Sequence, residues 1–193
     1  MIAATLLSVA GLSHLVVAAY IPSKAIVAQF LLRQAWAESQ ITGADVRPWS
    51  WADTHPVARL QLDRLDVDMF VLAGASGRTM AFGPAHLETS AAPGTAGHSI
   101  LTGHRDTHFA FLEHVVVGDR LSVEGRDGRK QTYRVVEARL ADARQDHIKL
   151  TGSQNRLTLI TCFPFDALQS GGPLRWVVTA EAKDLTKRPA LKL

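Results

Sequence analysis

One cysteine, Cys162, stands in 193 residues. An internal disulfide is therefore excluded, and so is any CxxC zinc site. The chain lacks a dense Lys/Arg stripe interleaved with aromatics; its net charge of +3 is spread out, apart from a basic C-terminal stretch, "KDLTKRPALKL". That argues against nucleic-acid binding. Internal repeats and low-complexity tracts are missing as well. "GASG" (74–77) and "APGTAG" (92–97) fit no phosphate-loop spacing and read as turns. No charged side chain occurs before Lys24 when His14 is neutral.

What is present suits a globular domain with a real core: hydrophobic residues make up 47% and charged residues 20%. The uncharged opening, "MIAATLLSVAGLSHLVVAAYI", would span about 31 Å as a helix, close to one bilayer core. Residues 1–21 are expected to be a retained transmembrane anchor. A cleaved signal peptide and a buried core helix are the rivals; the missing basic n-region and the poor site at "VVAA" (16–19) argue against cleavage. Lys24 and Arg33 follow the span and no Lys or Arg precedes it, so the positive-inside rule alone would put the remainder in the cytoplasm.

Pro22 should end or kink the first helix, and Ser23 can cap a second, "KAIVAQFLLRQAWAESQ", a juxtamembrane stalk. "ITGADVRPWSWADTHPV" (41–57) reads as a linker or wrap; if extended, Trp49 and Trp51 share one face. From Ala58 the pattern turns to short strands: two in "ARLQLDRLDVDMFVLAG", then "HSILTGH", "RLSVEG", "QTYRVVEARLA", "RLTLITC" and "LRWVVTAEA". "RTMAFGPAHLET" is expected to be a short helix or turn, and "THFAFLEHV" a helical piece. Seven or so strands with close turns point to a mainly β, closed or nearly closed barrel with helices in its connections.

A lone Cys at a strand end is more often a buried, inert thiol than a nucleophile. A nucleophile needs a thiolate, a proton donor for the leaving group, and donors for an oxyanion. An unperturbed thiol is only about 3% ionised at pH 7, so a cationic neighbour is expected at a reactive one. Arg175 opens the strand after Cys162, and in a hairpin the end of one strand faces the start of the next. Between them lies an 11-residue loop, "FPFDALQSGGP". His104 ends "ILTGH", but the sequence does not place it beside the other two. The bland alternatives are a solvated strand-opening arginine and a turn at "HRDTH". A metal reading, from His104 and His108 with Asp106 between and His98 and His114 nearby, needs both histidines on one helix face; Gly103 and the strand-like "SILTG" oppose that.

These segments carry a family resemblance. "TLITC" (158–162) resembles the TLxTC signature of sortases, cysteine transpeptidases that attach proteins to bacterial surfaces. "LTGHRDTHF" (101–109) is similar to the segment with the sortase histidine, and "GGPLRWVV" (171–178) to the one with its arginine. The resemblance covers roughly residues 58–183. It implies an eight-stranded sortase barrel needing no cofactor or metal, preceded by the anchor (1–21) and the juxtamembrane helix and linker (22–57), and followed by a basic tail (184–193).

The resemblance implies roles too. Cys162 attacks the carbonyl between Thr and Gly of an LPxTG-like sorting signal near a substrate protein's C-terminus. His104 protonates the leaving amine and later deprotonates an incoming amine of unknown identity. Arg175 binds substrate and stabilises the oxyanion, and Thr161 and Phe163, flanking the nucleophile, are expected to touch substrate. "GHRDTHF", "TCFPF" and "PWSWADT" resemble sortases of Gram-negative, proteobacterial type. Family topology puts the domain outside the cytoplasm, on the inner membrane, against the weak charge bias. Because ordinary members begin with a basic residue or two, a start upstream of Met1 is also expected. The rivals are a thiol hydrolase with the same three residues, a metal hydrolase, and a non-catalytic, membrane-tethered binding barrel.

Overall fold

The structure is a computed structural model that describes residues 23–150, 155–167 and 171–182. Within them a helix, α1 (23–42), precedes eight strands: β1 (Pro56–Leu62), β2 (Val67–Ala73), β3 (Ala85–His86), β4 (His98–Thr102), β5 (Arg120–Gly125), β6 (Lys130–Asp142), β7 (Arg156–Cys162) and β8 (Leu174–Ala182). A one-turn helix, α2 (Gly77–Met80), lies between β2 and β3. Short 3-10 turns cover Asp63–Leu65 and Ala110–His114.

Period-2 alternation builds the barrel. Along β1 every second residue, from Pro56 through Ala58 and Leu60 to Leu62, is buried. The same rule turns Leu157 and Leu159 of β7 and Val178 and Ala180 of β8 into a core shared with Leu60, Leu121, Tyr133 and Leu101. Each fully buried leucine contributes about 1.5–3 kcal/mol. The strands close in the order β1-β2-β3-β4-β7-β8-β6-β5, with β5 returning to β1. Most neighbours are antiparallel; β2–β3 and β4–β7 are parallel. The β4–β7 pairing matters most for function, because the chain runs through β5 and β6 before β7 comes back beside β4.

The eight-stranded barrel meets the sequence-based expectation, and β5, β7 and β8 begin and end where their patterns predict. The strand with no sequence signal is β3. Only two residues long, Ala85 and His86, it cannot display an alternation, and it sits inside the segment read as a helix or turn. "THFAFLEHV" becomes a 3-10 turn over its second half.

The helix expected after Pro22 is present, but it does not stand off as a stalk. Ala28, Leu32, Ala35, Trp36 and Ser39 are buried along one face. Gln29 Nε2 donates to the Phe82 carbonyl at 2.8 Å, Gln40 Nε2 donates to Glu124 Oε1 at 3.0 Å, and the Trp36 ring lies 6.0 Å from that of Phe70. The helix lies on the barrel because this stripe would otherwise be left in water. Trp49 and Trp51 also part company. Residues 48–51 turn, with Ala52 N–H donating to Trp49 O at 3.0 Å, so the two rings no longer share a face. Trp49 packs edge-on against Phe82, while Trp51 is 83% exposed. Among the described residues no helix is long and apolar enough to cross a membrane. The expected anchor (1–21) and basic tail (184–193) lie outside the described residues.

Candidate active site

Three strands bring the expected residues to one end of the barrel. In the antiparallel β7–β8 ladder Cys162 is the direct partner of Arg175. Because Leu157, Leu159 and Thr161 point inward, Arg156, Thr158, Ile160 and Cys162 share the outer face. In the parallel β4–β7 ladder Ile100 pairs with Thr158 and Thr102 with Ile160. The pairing runs on past the strand: Gly103 N–H donates to Ile160 O at 3.2 Å, and Thr161 Oγ1 donates to Gly103 O at 2.7 Å. Counting one more step along this register brings His104 level with Cys162. Cys162 and Arg175 are half-buried, and His104 is exposed. Arg175 Nη1 donates to the carbonyls of Gly172 and Leu174, both at 2.8 Å.

The glycine before His104 answers a steric demand. A Cβ on Gly103 would sit 2.8 Å from Cγ of Phe109, a fully buried ring. Phe109 N–H in turn donates to His104 O at 2.9 Å, closing the turn that follows β4. The segment is thus a turn, as its bland reading expected, and it holds His104 at the exit of β4.

Thr161, expected to touch substrate, is placed otherwise. It is 2% exposed, and its hydroxyl is spent on Gly103 O. It joins β7 to the exit of β4, because residues of β7 alternate and Cys162 takes the outer position. Phe163 stacks on Trp176 (5.9 Å, 25°) and meets Phe165 edge-on at 6.1 Å, an aromatic cluster at the start of the loop after the nucleophile.

The histidines weighed as metal ligands are dispersed. His98 starts β4, at the far end from His104; its Nε2 lies 2.8 Å from Thr158 Oγ1 and its Nδ1 3.0 Å from Lys149 O. Among the described residues no three His, Cys, Asp or Glu side chains gather where a metal could be held. His108 is different: burial pushes its imidazole below the ordinary range, and a charge on nearby His104 pushes it the same way, against a backbone hydrogen bond at Phe82.

On the same outer face a cavity of about 210 Å³ is lined by His98, Thr158, Arg156, Glu181, His147 and Lys149. It lies against Arg156 and Thr158 in the first half of β7, away from Cys162 at the strand's other end. Sequence reasoning missed this groove, since the β6–β7 connection that forms one wall gives no periodic signal. It also missed Arg105, a buried arginine hidden in what reads as a polar turn.

Residues 60–183 match the family model of the sortase domain. The chain belongs to the sortase family, the cysteine transpeptidases that its three motifs resemble. Sortase D of Bacillus subtilis (strain 168) is 27% identical over 120 residues, a match spanning 62% of this chain and 60% of that protein. Sortase C-1 of Actinomyces oris superimposes with a TM-score of 0.58 at 28% identity, covering 66% of this chain and 72% of its own. Sortase A of Corynebacterium diphtheriae gives 0.61 at 25% identity, over 72% and 65%.

Proposed function

We propose that the chain is a membrane-anchored transpeptidase that acts on proteins bearing an LPxTG-like sorting signal. Cys162 Sγ attacks the carbonyl carbon of the Thr–Gly bond, and the C–N bond breaks as a thioester forms. His104 gives a proton to the departing glycine amine. It then takes one from an incoming amine, which displaces the thiolate and forms a new amide. Arg175 faces the developing oxyanion. A guanidinium carries five donors, so donation from Nη1 to the loop carbonyls leaves others for substrate.

The observation that carries this reading is the direct pairing of Cys162 with Arg175 across β7–β8, next to the strand from which His104 emerges. Residues 1–21 supply the anchor in this reading, the domain faces the periplasm from the inner membrane, and the Gram-negative type rests on "GHRDTHF", "TCFPF" and "PWSWADT".

The test is mass spectrometry after incubation with a peptide containing Leu-Pro-Glu-Thr-Gly. The expected result is an acyl adduct on Cys162, with release of the fragment beginning at glycine. Added hydroxylamine or another primary amine should divert the acyl group into an amide product. Product partitioning insensitive to amine would instead establish a thiol hydrolase.

A further inference from the structure

We propose that Arg105 is a positioning residue for the thiol–imidazole pair, because its guanidinium ties the segment carrying His104 to the loop that leaves Cys162. The proposal rests on the reading of Cys162 and His104 as the reacting groups. Arg105 follows His104 directly, yet its side chain is only 5% exposed. Nη1 donates to Pro164 O at 2.8 Å, and Nη2 donates to Ala167 O at 2.7 Å. Nε donates to Asp106 Oδ1 at 3.0 Å, and that carboxylate is 68% exposed.

Burying a guanidinium is costly unless its donors are met, so the arrangement is a constraint and not an incidental surface contact. Pro164 and Ala167 open the loop that begins just after the nucleophile. The loop's own closing bond, Ala167 N–H to Pro164 O, is long at 3.5 Å. The two short bonds from the planar fork of Arg105 therefore set the separation of these carbonyls.

The contacts bracket the reacting residues. Before them in sequence, Gly103 is bonded to Ile160 O and to the Thr161 hydroxyl. After them, Arg105 is bonded to Pro164 and Ala167. His104 and Cys162 each lie between two fastened points, so their approach is fixed by the bonds of Gly103 to β7 on one side and by one arginine on the other. Lysine cannot reproduce this, since a point charge cannot bridge two carbonyls in one plane.

The test compares wild type, Arg105→Lys, Arg105→Ala and His104→Ala in the full chain, with circular dichroism and thermal melting to verify folding. The first readout needs no substrate: the rate of Cys162 alkylation by iodoacetamide from pH 5 to 10. The expected result is that the Arg105→Lys profile moves from the wild-type curve toward that of His104→Ala. With a Leu-Pro-Glu-Thr-Gly peptide, kcat of Arg105→Lys should fall about tenfold or more while KM stays within about twofold. Methylguanidinium should restore part of the Arg105→Ala rate. An Arg105→Lys alkylation curve that coincides with wild type overturns the proposal, as does wild-type kcat in that variant. If Arg105→Ala does not fold, Arg105→Lys decides. If Arg105→Lys also fails to fold at 25 °C, the arginine is a folding determinant and the proposal is overturned. If the wild-type chain leaves the peptide uncut, the substrate reading fails and the alkylation curves still decide the clamp.

Discussion

Cys162 is ambiguous by composition and acquires meaning from its partner. Across β7–β8 it meets Arg175, whose charge is permanent and whose donors lie in one plane. Cys162→Ala is expected to abolish peptide cleavage. Arg175→Lys should lower kcat by about 10²-fold, the usual cost of removing an oxyanion donor; cleavage kinetics with the Leu-Pro-Glu-Thr-Gly peptide measure it. Gly103 is a second residue with a sharp requirement. In Gly103→Ala the new methyl would meet the Phe109 ring at 2.8 Å, and that ring is boxed in by core. The expected cost is about 1–3 kcal/mol in urea unfolding, accompanied by loss of activity as His104 shifts. The motif "TGH" is thus a packing statement as much as a chemical one.

At the scale of the element, β7 serves both the core and the site through its alternation. Leu157 and Leu159 fasten it inward, Thr161 fastens it sideways to Gly103, and Cys162 is left outward at its end. Leu159→Ala should cost about 2–5 kcal/mol by denaturant titration, because a closed barrel collapses poorly around a lost side chain. β7 and β8 were legible to the residue because each is a short run with turn signals on both flanks. The helix α1 was legible as a helix, but its resting place was not. Amphipathic spacing shows that Trp36 and Leu32 share a face without showing what that face meets. β3 was illegible, since two residues make no period.

At the scale of the whole molecule, closure of the barrel leaves polar groups buried, and these make stability depend on pH. Burial depresses His86, and burial together with His104 depresses His108, from the ordinary value of 6.5. Between the depressed folded value and the unfolded one, the unfolded chain binds more protons. Their contribution is therefore fully present above about pH 6.5 and is lost as pH falls through the folded values. Melting temperature should drop as pH is lowered from 7.5 to 5, and the double substitution His86→Gln, His108→Gln should flatten that slope. Asp119 adds a second, lower window. Arg64, at 2.7 Å, holds its carboxylate below the usual range, so that contribution is present above about pH 4 and fades below it.

The sequence by itself determined every strand but β3, the hairpin that pairs Cys162 with Arg175, and, through its three motifs, the family. These are local: a period of two needs only neighbouring residues, and a hairpin needs only a loop. Only the tertiary structure decided that β4 lies parallel to β7, which brings His104 level with a cysteine 58 residues further along the chain. It alone decided that Thr161 faces inward and that Arg105 is buried against the loop leaving Cys162. The reason is closure. Which strand returns beside which, and which polar turn is covered, follows from completing the barrel around one core, and no window of sequence contains that.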